Sequence, residues 1–181
     1  MSVDIKFTEY PLNDTLPLTD YRGRDNSLWA SIFPEFYCKY APLHAVKEQG
    51  CALVNTIVEH APVAGDREFT SVDVKVQPLS IGETTCLPGW HKDSVSDPDA
   101  LHHLFIIGDN RTWFKMCDGE VELPHGHYAT YGSDVDHRGP EVEIVEVRLL
   151  VRVTESNVIR PNTVFRKTYP YRYIDGNVEK S

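Results

Sequence analysis

The chain has 181 residues, 41% of them hydrophobic and 25% charged, which fits one domain with a real core and argues against wholesale disorder. Its formal net charge of −9 argues against duplex nucleic acid as a partner, because phosphate contacts need Lys and Arg in excess. The start, MSVDIKFTEYPL, has no apolar run behind basic residues, and no stretch reaches the roughly 20 apolar residues of a bilayer span, so a soluble, cytoplasmic protein without membrane contact is expected.

In chain order, residues 1–70 read as an N-terminal support. Aromatics from Phe7 to Tyr40, interrupted by Pro11, Pro17 and Pro34, suggest extended segments and turns laid on a core. One helix is predicted over about 42–60: Pro42 suits a first turn, and Leu43, Val46, Leu53, Val54, Ile57 and Val58 form an apolar stripe at helical spacing. Gly50 weakens its middle and Ala61-Pro62 ends it. From Ser71 the texture changes to short alternating runs. Val72–Val76 has period two; Leu104–Ile107 is apolar and is followed by Gly108-Asp109-Asn110. Thr112–Met116 ends at Asp118-Gly119, a hairpin signal. Val121–Leu123, Tyr128–Tyr131, a long strand over about 142–154 and one more over 163–174 complete the set. Many short strands with regular turns predict a mainly β sandwich or jelly roll in a single domain, with a core over 71–155 and a C-terminal strand or extension over 156–181. Cys38, Cys51, Cys86 and Cys117 contain no CxxC pair and read as free thiols.

Six of the eight histidines lie between positions 91 and 137. In His91-Lys92-Asp93 the first and third side chains of an extended segment share a side, so an imidazole and a carboxylate can converge on one ion. A third ligand, His137, would come from another strand. Two histidines and one carboxylate on one face of an octahedron leave positions open for cosubstrate and oxygen, as in non-haem ferrous oxygenases. Taken alone, the triplet is explained better by a polar surface loop. On the strand over 141–154 the odd positions are mainly apolar, while the even positions carry Glu146, Arg148 and Arg152. An inward Arg148 would need a partner, and a dicarboxylate suits its fork; a solvated face is the alternative.

His91-x-Asp93, then His137, then Arg148, in that order and spacing, resembles the iron- and 2-oxoglutarate-dependent dioxygenases over roughly residues 72–154. The turn Leu123-Pro124-His125-Gly126 before Tyr131-Gly132 also looks like a strand connection of their double-stranded β-helix. The resemblance implies that this cupin-like jelly roll is the core and that His91, Asp93 and His137 are the catalytic centre binding Fe(II). It further implies that Arg148 holds the distal carboxylate of 2-oxoglutarate, and that O2 completes the reaction with release of succinate and carbon dioxide. Family halogenases lack the carboxylate ligand, so Asp93 implies hydroxylation or a related oxidation.

Thr112 and His103 are candidate cosubstrate contacts, although β-propensity explains the first and a core position the second; one of His102 and His103 should point inward. Trp90 and Arg138, beside the ligands, are candidate substrate contacts, or else packing and solvated residues. His125 and His127 offer a rival pair for a cupin-type metal enzyme without a 2-oxo acid. A non-catalytic binding module on the same fold is the other alternative. Amino acids, small metabolites, protein side chains and nucleobases stay open as substrates, and so does the oligomeric state.

Overall fold

The computed structural model describes residues 4–12, 36–93, 96–159 and 162–180; the predicted extended stretch over 13–35 lies outside them. The chain is mainly β with large antiparallel sheets, as its alternating runs predict. In chain order the strands are β1 (Lys6–Glu9), β2 (Tyr37–Pro42), β3 (Phe69–Leu79), β4 (Glu83–Thr84), β5 (Leu101–Ile107), β6 (Trp113–Met116), β7 (Gly119–Glu122), β8 (His127–Gly132), β9 (His137–Arg138), β10 (Glu146–Ser156), β11 (Val164–Arg166), β12 (Tyr171–Ile174) and β13 (Asn177–Lys180). The helices are α1 (Leu43–Gln49) and α2 (Ala52–Glu59). A seven-stranded sheet runs β1-β8-β5-β10-β3-β2-β11, and two three-stranded sheets run β13-β12-β4 and β7-β6-β9.

β10 organises the molecule. It pairs along its whole length with β3 and, on its other edge, with β5. Alternation then divides its side chains between two cores. Val147, Leu149, Val151 and Val153 pack with Val72, Val74, Phe105 and Ile107 under Val46 of α1 and Val54, Ile57 and Val58 of α2. Leu150, on the opposite face, packs with Leu104, Ile106, Ala129, Tyr131 and Phe114 of β6. The large sheet is therefore layered between the helices and the sheet β7-β6-β9. Each fully buried Val, Leu, Ile or Phe in these cores contributes roughly 1.5–3 kcal/mol relative to exposure.

Three predicted elements are corrected. The single helix over 42–60 is two helices, because Gly50 and Cys51 are extended (φ −75°, ψ 158° and φ −78°, ψ 165°). A Cβ on Gly50 would sit 2.7 Å from both the Val46 carbonyl oxygen and Asn55 Oδ1, so glycine permits the close approach at the joint. The break lets both apolar stripes reach the sheet. The long strand begins at Glu146, not 142: residues 142–145 belong to the connection from β9 to β10. The span 163–174 is two strands, β11 and β12, in different sheets, separated around Tyr169-Pro170, where proline cannot donate to a ladder. The predicted hairpin forms, with Met116 opposite Gly119 and Cys117-Asp118 at its tip.

Among the described residues no helix is long and apolar enough to cross a membrane.

Candidate metal centre

His91 lies in the segment that follows β4, and His137 opens β9. The two residues form an antiparallel bridge in which each backbone N–H donates to the other's carbonyl at 2.9 Å. That reciprocal pairing brings the imidazoles together, with ring centroids 4.5 Å apart. Asp93, two residues past His91, turns to the same side. His137 Nε2 lies 3.1 Å from Asp93 Oδ2, and one ligand atom from each of His91, Asp93 and His137 falls within 4.8 Å of the others. Ligand atoms around one octahedral ion with bonds near 2.1 Å sit about 3 Å apart when adjacent, so small side-chain adjustments suffice.

The backbone prepares both imidazoles in the same way. His91 Nδ1 is 3.2 Å from the carbonyl oxygen of Gly89, and His137 Nδ1 is 3.3 Å from that of Val135. An Nδ1–H donated to a carbonyl fixes the tautomer in which Nε2 offers a lone pair to a metal. A hydrogen bond with Cys86 raises the His91 pKa against the opposing effect of burial.

Asp93 is held by groups that favour its charged form. Burial would raise its pKa, but the Arg152 guanidinium and the His137 hydrogen bond outweigh this and hold the carboxyl well below the usual range. Oδ2 accepts from Tyr131 Oη at 3.3 Å and from an Arg152 Nη. Arg152 also donates Nε to Asp73 Oδ2 at 3.0 Å. Asp73 faces Arg152 directly across the β3–β10 ladder, so the large sheet fixes this ion pair and through it the carboxylate of Asp93.

A cavity of ≈ 240 Å³ opens beside the cluster, lined by His91, Asp93, His137, Thr112, Tyr131 and Arg148 among others. The even face of β10 is thus buried rather than solvated. Arg148 is 2% exposed. It donates to the Asn110 carbonyl (2.9 Å), Gln77 Oε1 (2.6 Å) and the Thr85 carbonyl (3.3 Å), while its buried Nε has no partner among the described residues. Its neighbour Glu146 is occupied elsewhere, by the backbone N–H groups of Asp109 and Asn110 at 2.7 and 2.9 Å. Thr112 is buried and lines the same cavity as Arg148.

Three sequence candidates are placed elsewhere. His103 points to the helix side of the sheet, where it meets Thr130 Oγ1 (3.0 Å) and Glu155 Oε2 (2.9 Å); strand alternation, which turns His102 inward, turns His103 away from the cavity. Trp90 and Arg138 each adjoin an inward ligand and so face outward. The Arg138 guanidinium lies 5.1 Å from the Trp90 ring and 5.7 Å from the Trp113 ring, clamping the outside of the bridge instead of lining the cavity. His125 and His127 form no cluster with a third ligand among the described residues; His127 Nδ1 contacts the His125 carbonyl at 2.8 Å.

Sequence reasoning passed over Lys39, Tyr40, Asp73, Lys75, Gln77 and Cys86, all of which line the cavity or bond its residues. A signal was present for three of them. Asp73, Lys75 and Gln77 alternate with Val72, Val74 and Val76, a polar face as regular as the apolar one. Comparison with models of known families, with curated proteins and with solved structures finds no match for this chain.

Proposed function

We propose that the protein is an Fe(II)- and 2-oxoglutarate-dependent oxygenase that hydroxylates its substrate. The observation that carries this reading is Arg148: a buried guanidinium whose partners among the described residues are neutral and whose Nε–H has none there, at the wall of the cavity that also holds a His-Asp-His cluster. A buried cation left without a counter-ion is costly, and a carboxylate reaching it would remove that cost through a charge-assisted hydrogen bond. A dicarboxylate that meets Arg148 at one end and a metal at the other fits both halves of the cavity.

The topology supports the same reading. The chain alternates between β3, β5, β8 and β10 of the large sheet and the His91 segment, β6, β7 and β9 opposite. We take this as a double-stranded β-helix, with α1 and α2 as its support.

Fe(II) held by His91, Asp93 and His137 would supply oxygen activation coupled to decarboxylation of the 2-oxo acid. The chain's own residues do the positioning. Arg148 binds the distal carboxylate, and the hydroxyl of Thr112, which lines the same cavity, donates a further hydrogen bond. Arg152 and Tyr131 hold Asp93 in one orientation, ionised. Leu104 and Leu150 keep water from that wall of the cavity.

The test is spectroscopic. Anaerobic protein with Fe(II) and 2-oxoglutarate should show the weak visible charge-transfer band of a chelated 2-oxo acid, and admitting O2 should release succinate. Iron bound without either signal would remove 2-oxoglutarate from the reading.

A further inference from the structure

Two lysines that the proposed reaction does not use line the same cavity. Lys39 reaches it through an irregularity in β2. Cys38 pairs with Val74 and Ala41 with Val72, so two residues, Lys39 and Tyr40, stand opposite the single Asp73, a β-bulge. Cys38 and Ala41 both face the helices, whereas Lys39 and Tyr40 both line the cavity. Tyr40 has φ 54°, the left-handed region that a tyrosine rarely adopts. The strain is held in place by Asp73 Oδ1, which accepts the Tyr40 N–H at 2.8 Å, and by Thr163 Oγ1, which donates to the Tyr40 carbonyl at 3.0 Å. Strain of this kind collects at binding and catalytic sites. Lys75 lies two residues past Asp73 on the same face of β3.

Neither ammonium has a carboxylate within ion-pair distance among the described residues. Each rests near a ring: Lys39 Nζ is 4.8 Å from the Tyr40 centroid and Lys75 Nζ 5.6 Å from that of Tyr169. Burial, then the nearby Arg152, lower the Lys75 pKa and outweigh the opposing charges of Asp73, Cys86 and Asp93. Among the described residues, the other Arg and Asp side chains lining the cavity balance, with the Cys86 thiol counted as neutral. Arg152 is matched by Asp73. A metal dication, Asp93, a 2-oxoglutarate dianion and Arg148 cancel one another. The two lysines are the surplus, in a chain whose net charge is −9, so positive potential is concentrated where a ligand would sit.

We propose that Lys39 and Lys75 form an anion subsite, and that the substrate is a small molecule carrying a carboxylate or a phosphate group. The proposal rests on the metal and 2-oxoglutarate reading above, which assigns the other charges. The bulge is the device that places one lysine of the pair; the polar face of β3 places the other.

The experiment uses the intact protein loaded with Mn(II) and saturating 2-oxoglutarate, with inorganic phosphate and acetate as probes. Paramagnetic relaxation of the phosphate phosphorus and of the acetate methyl protons reports binding near the metal. The same titrations on the Lys39→Met/Lys75→Met double variant keep an unbranched side chain of similar bulk and remove the charge. The expected result is saturable relaxation of one probe, which identifies the group recognised, weakened about tenfold or more in the double variant, with 2-oxoglutarate affinity unchanged. Equal relaxation in both proteins, or none in the wild type with 2-oxoglutarate bound, overturns the subsite and leaves the oxygenase reading standing. A Mn(II)-loaded wild type that fails to bind 2-oxoglutarate overturns both, and a separate titration of that compound detects it.

Discussion

Arg148 and His102 are both buried polar groups on the cavity face of the large sheet, and they are tolerated for opposite reasons. Arg148 keeps its charge and faces neutral oxygens. Replacing it by Met removes a buried cation but also orphans the Asn110, Gln77 and Thr85 oxygens, so the apo protein should lose about 1–3 kcal/mol at most. The same change should weaken 2-oxoglutarate by about 10- to 100-fold, the worth of a charged hydrogen bond, with metal affinity nearly unchanged. Calorimetric titrations of both ligands check this, and parallel loss of the two would argue against a cosubstrate role. His102 is instead kept neutral. Burial, then the charge of Arg152, push its pKa down to about 3 from 6.5, and Nδ1 bonds Thr154 Oγ1 at 2.9 Å. The unfolded chain takes up a proton at this residue near pH 6.5 and the folded chain does not. The contribution is therefore complete above 6.5 and is lost as pH falls toward 3, at roughly 1.4 kcal/mol per pH unit. His103, whose pKa is also lowered chiefly by burial, adds in the same direction. Urea denaturation between pH 6.5 and 5, above the range where carboxylates titrate, should show this slope in the wild type and a shallower one in His102→Gln. An unchanged slope would mean that His102 is charged in the folded state.

At the scale of elements, the centre depends on a two-residue strand, β9, lying against the segment at Thr85 and Cys86. The Gly139 N–H donates to Cys86 Sγ at 3.2 Å and Thr85 N–H to the Pro140 carbonyl at 3.2 Å. A Cβ on Gly139 would collide with Thr85 Oγ1 and meet Cys86 Sγ at 2.7 Å and the Cys86 backbone nitrogen at 3.1 Å. Gly139→Ala should thus cost about 1–3 kcal/mol by overpacking and lower metal affinity, because His137 is carried on the displaced strand. Chemical denaturation together with Mn(II) binding measures both, and wild-type values in each would show that β9 does not position the ligand. The sequence pattern made some of this visible. Period-two alternation reported the two faces of β3 and β10, because burial on one side imposes it directly. The i, i+2 spacing of His91 and Asp93 likewise needs only local geometry. Other features depend on contacts distant in sequence. The joint at Gly50 follows from where two helices must meet the sheet. Strand parity could place one of His102 and His103 inside but not which one, since that is decided by the register of β5 against β10. The bulge at Lys39 and Tyr40 is fixed by Asp73, more than thirty residues away, and has no local signature such as a glycine.

For the whole molecule, the layered arrangement makes the cavity a junction between sheets. His137 comes from β9 of a small sheet, Arg148 from β10 of the large one, and His91 and Asp93 from the segment following β4. A metal bound by the three ligands ties that segment to β9, and a 2-oxo acid spanning metal and Arg148 adds the large sheet. Both would bind only the folded chain, so their binding free energy adds to stability. At concentrations about 100-fold above the dissociation constants, each ligand contributes about 2.7 kcal/mol. For a chain of this length, 1 kcal/mol raises Tm by about 2–4 °C. Metal alone should therefore raise Tm by about 5–10 °C, and 2-oxoglutarate should add a similar increment only when metal is present, because one end of its site is the metal itself. Differential scanning calorimetry with Mn(II), with Mn(II) and 2-oxoglutarate, and after chelation distinguishes these steps. Chelation should return the melt to the apo value. His91→Ala should lose both increments while melting cooperatively near the apo wild type, and Arg148→Met should keep the first and lose the second. A 2-oxoglutarate increment that survives chelation would place the dicarboxylate away from the metal and separate the two halves of the proposed site.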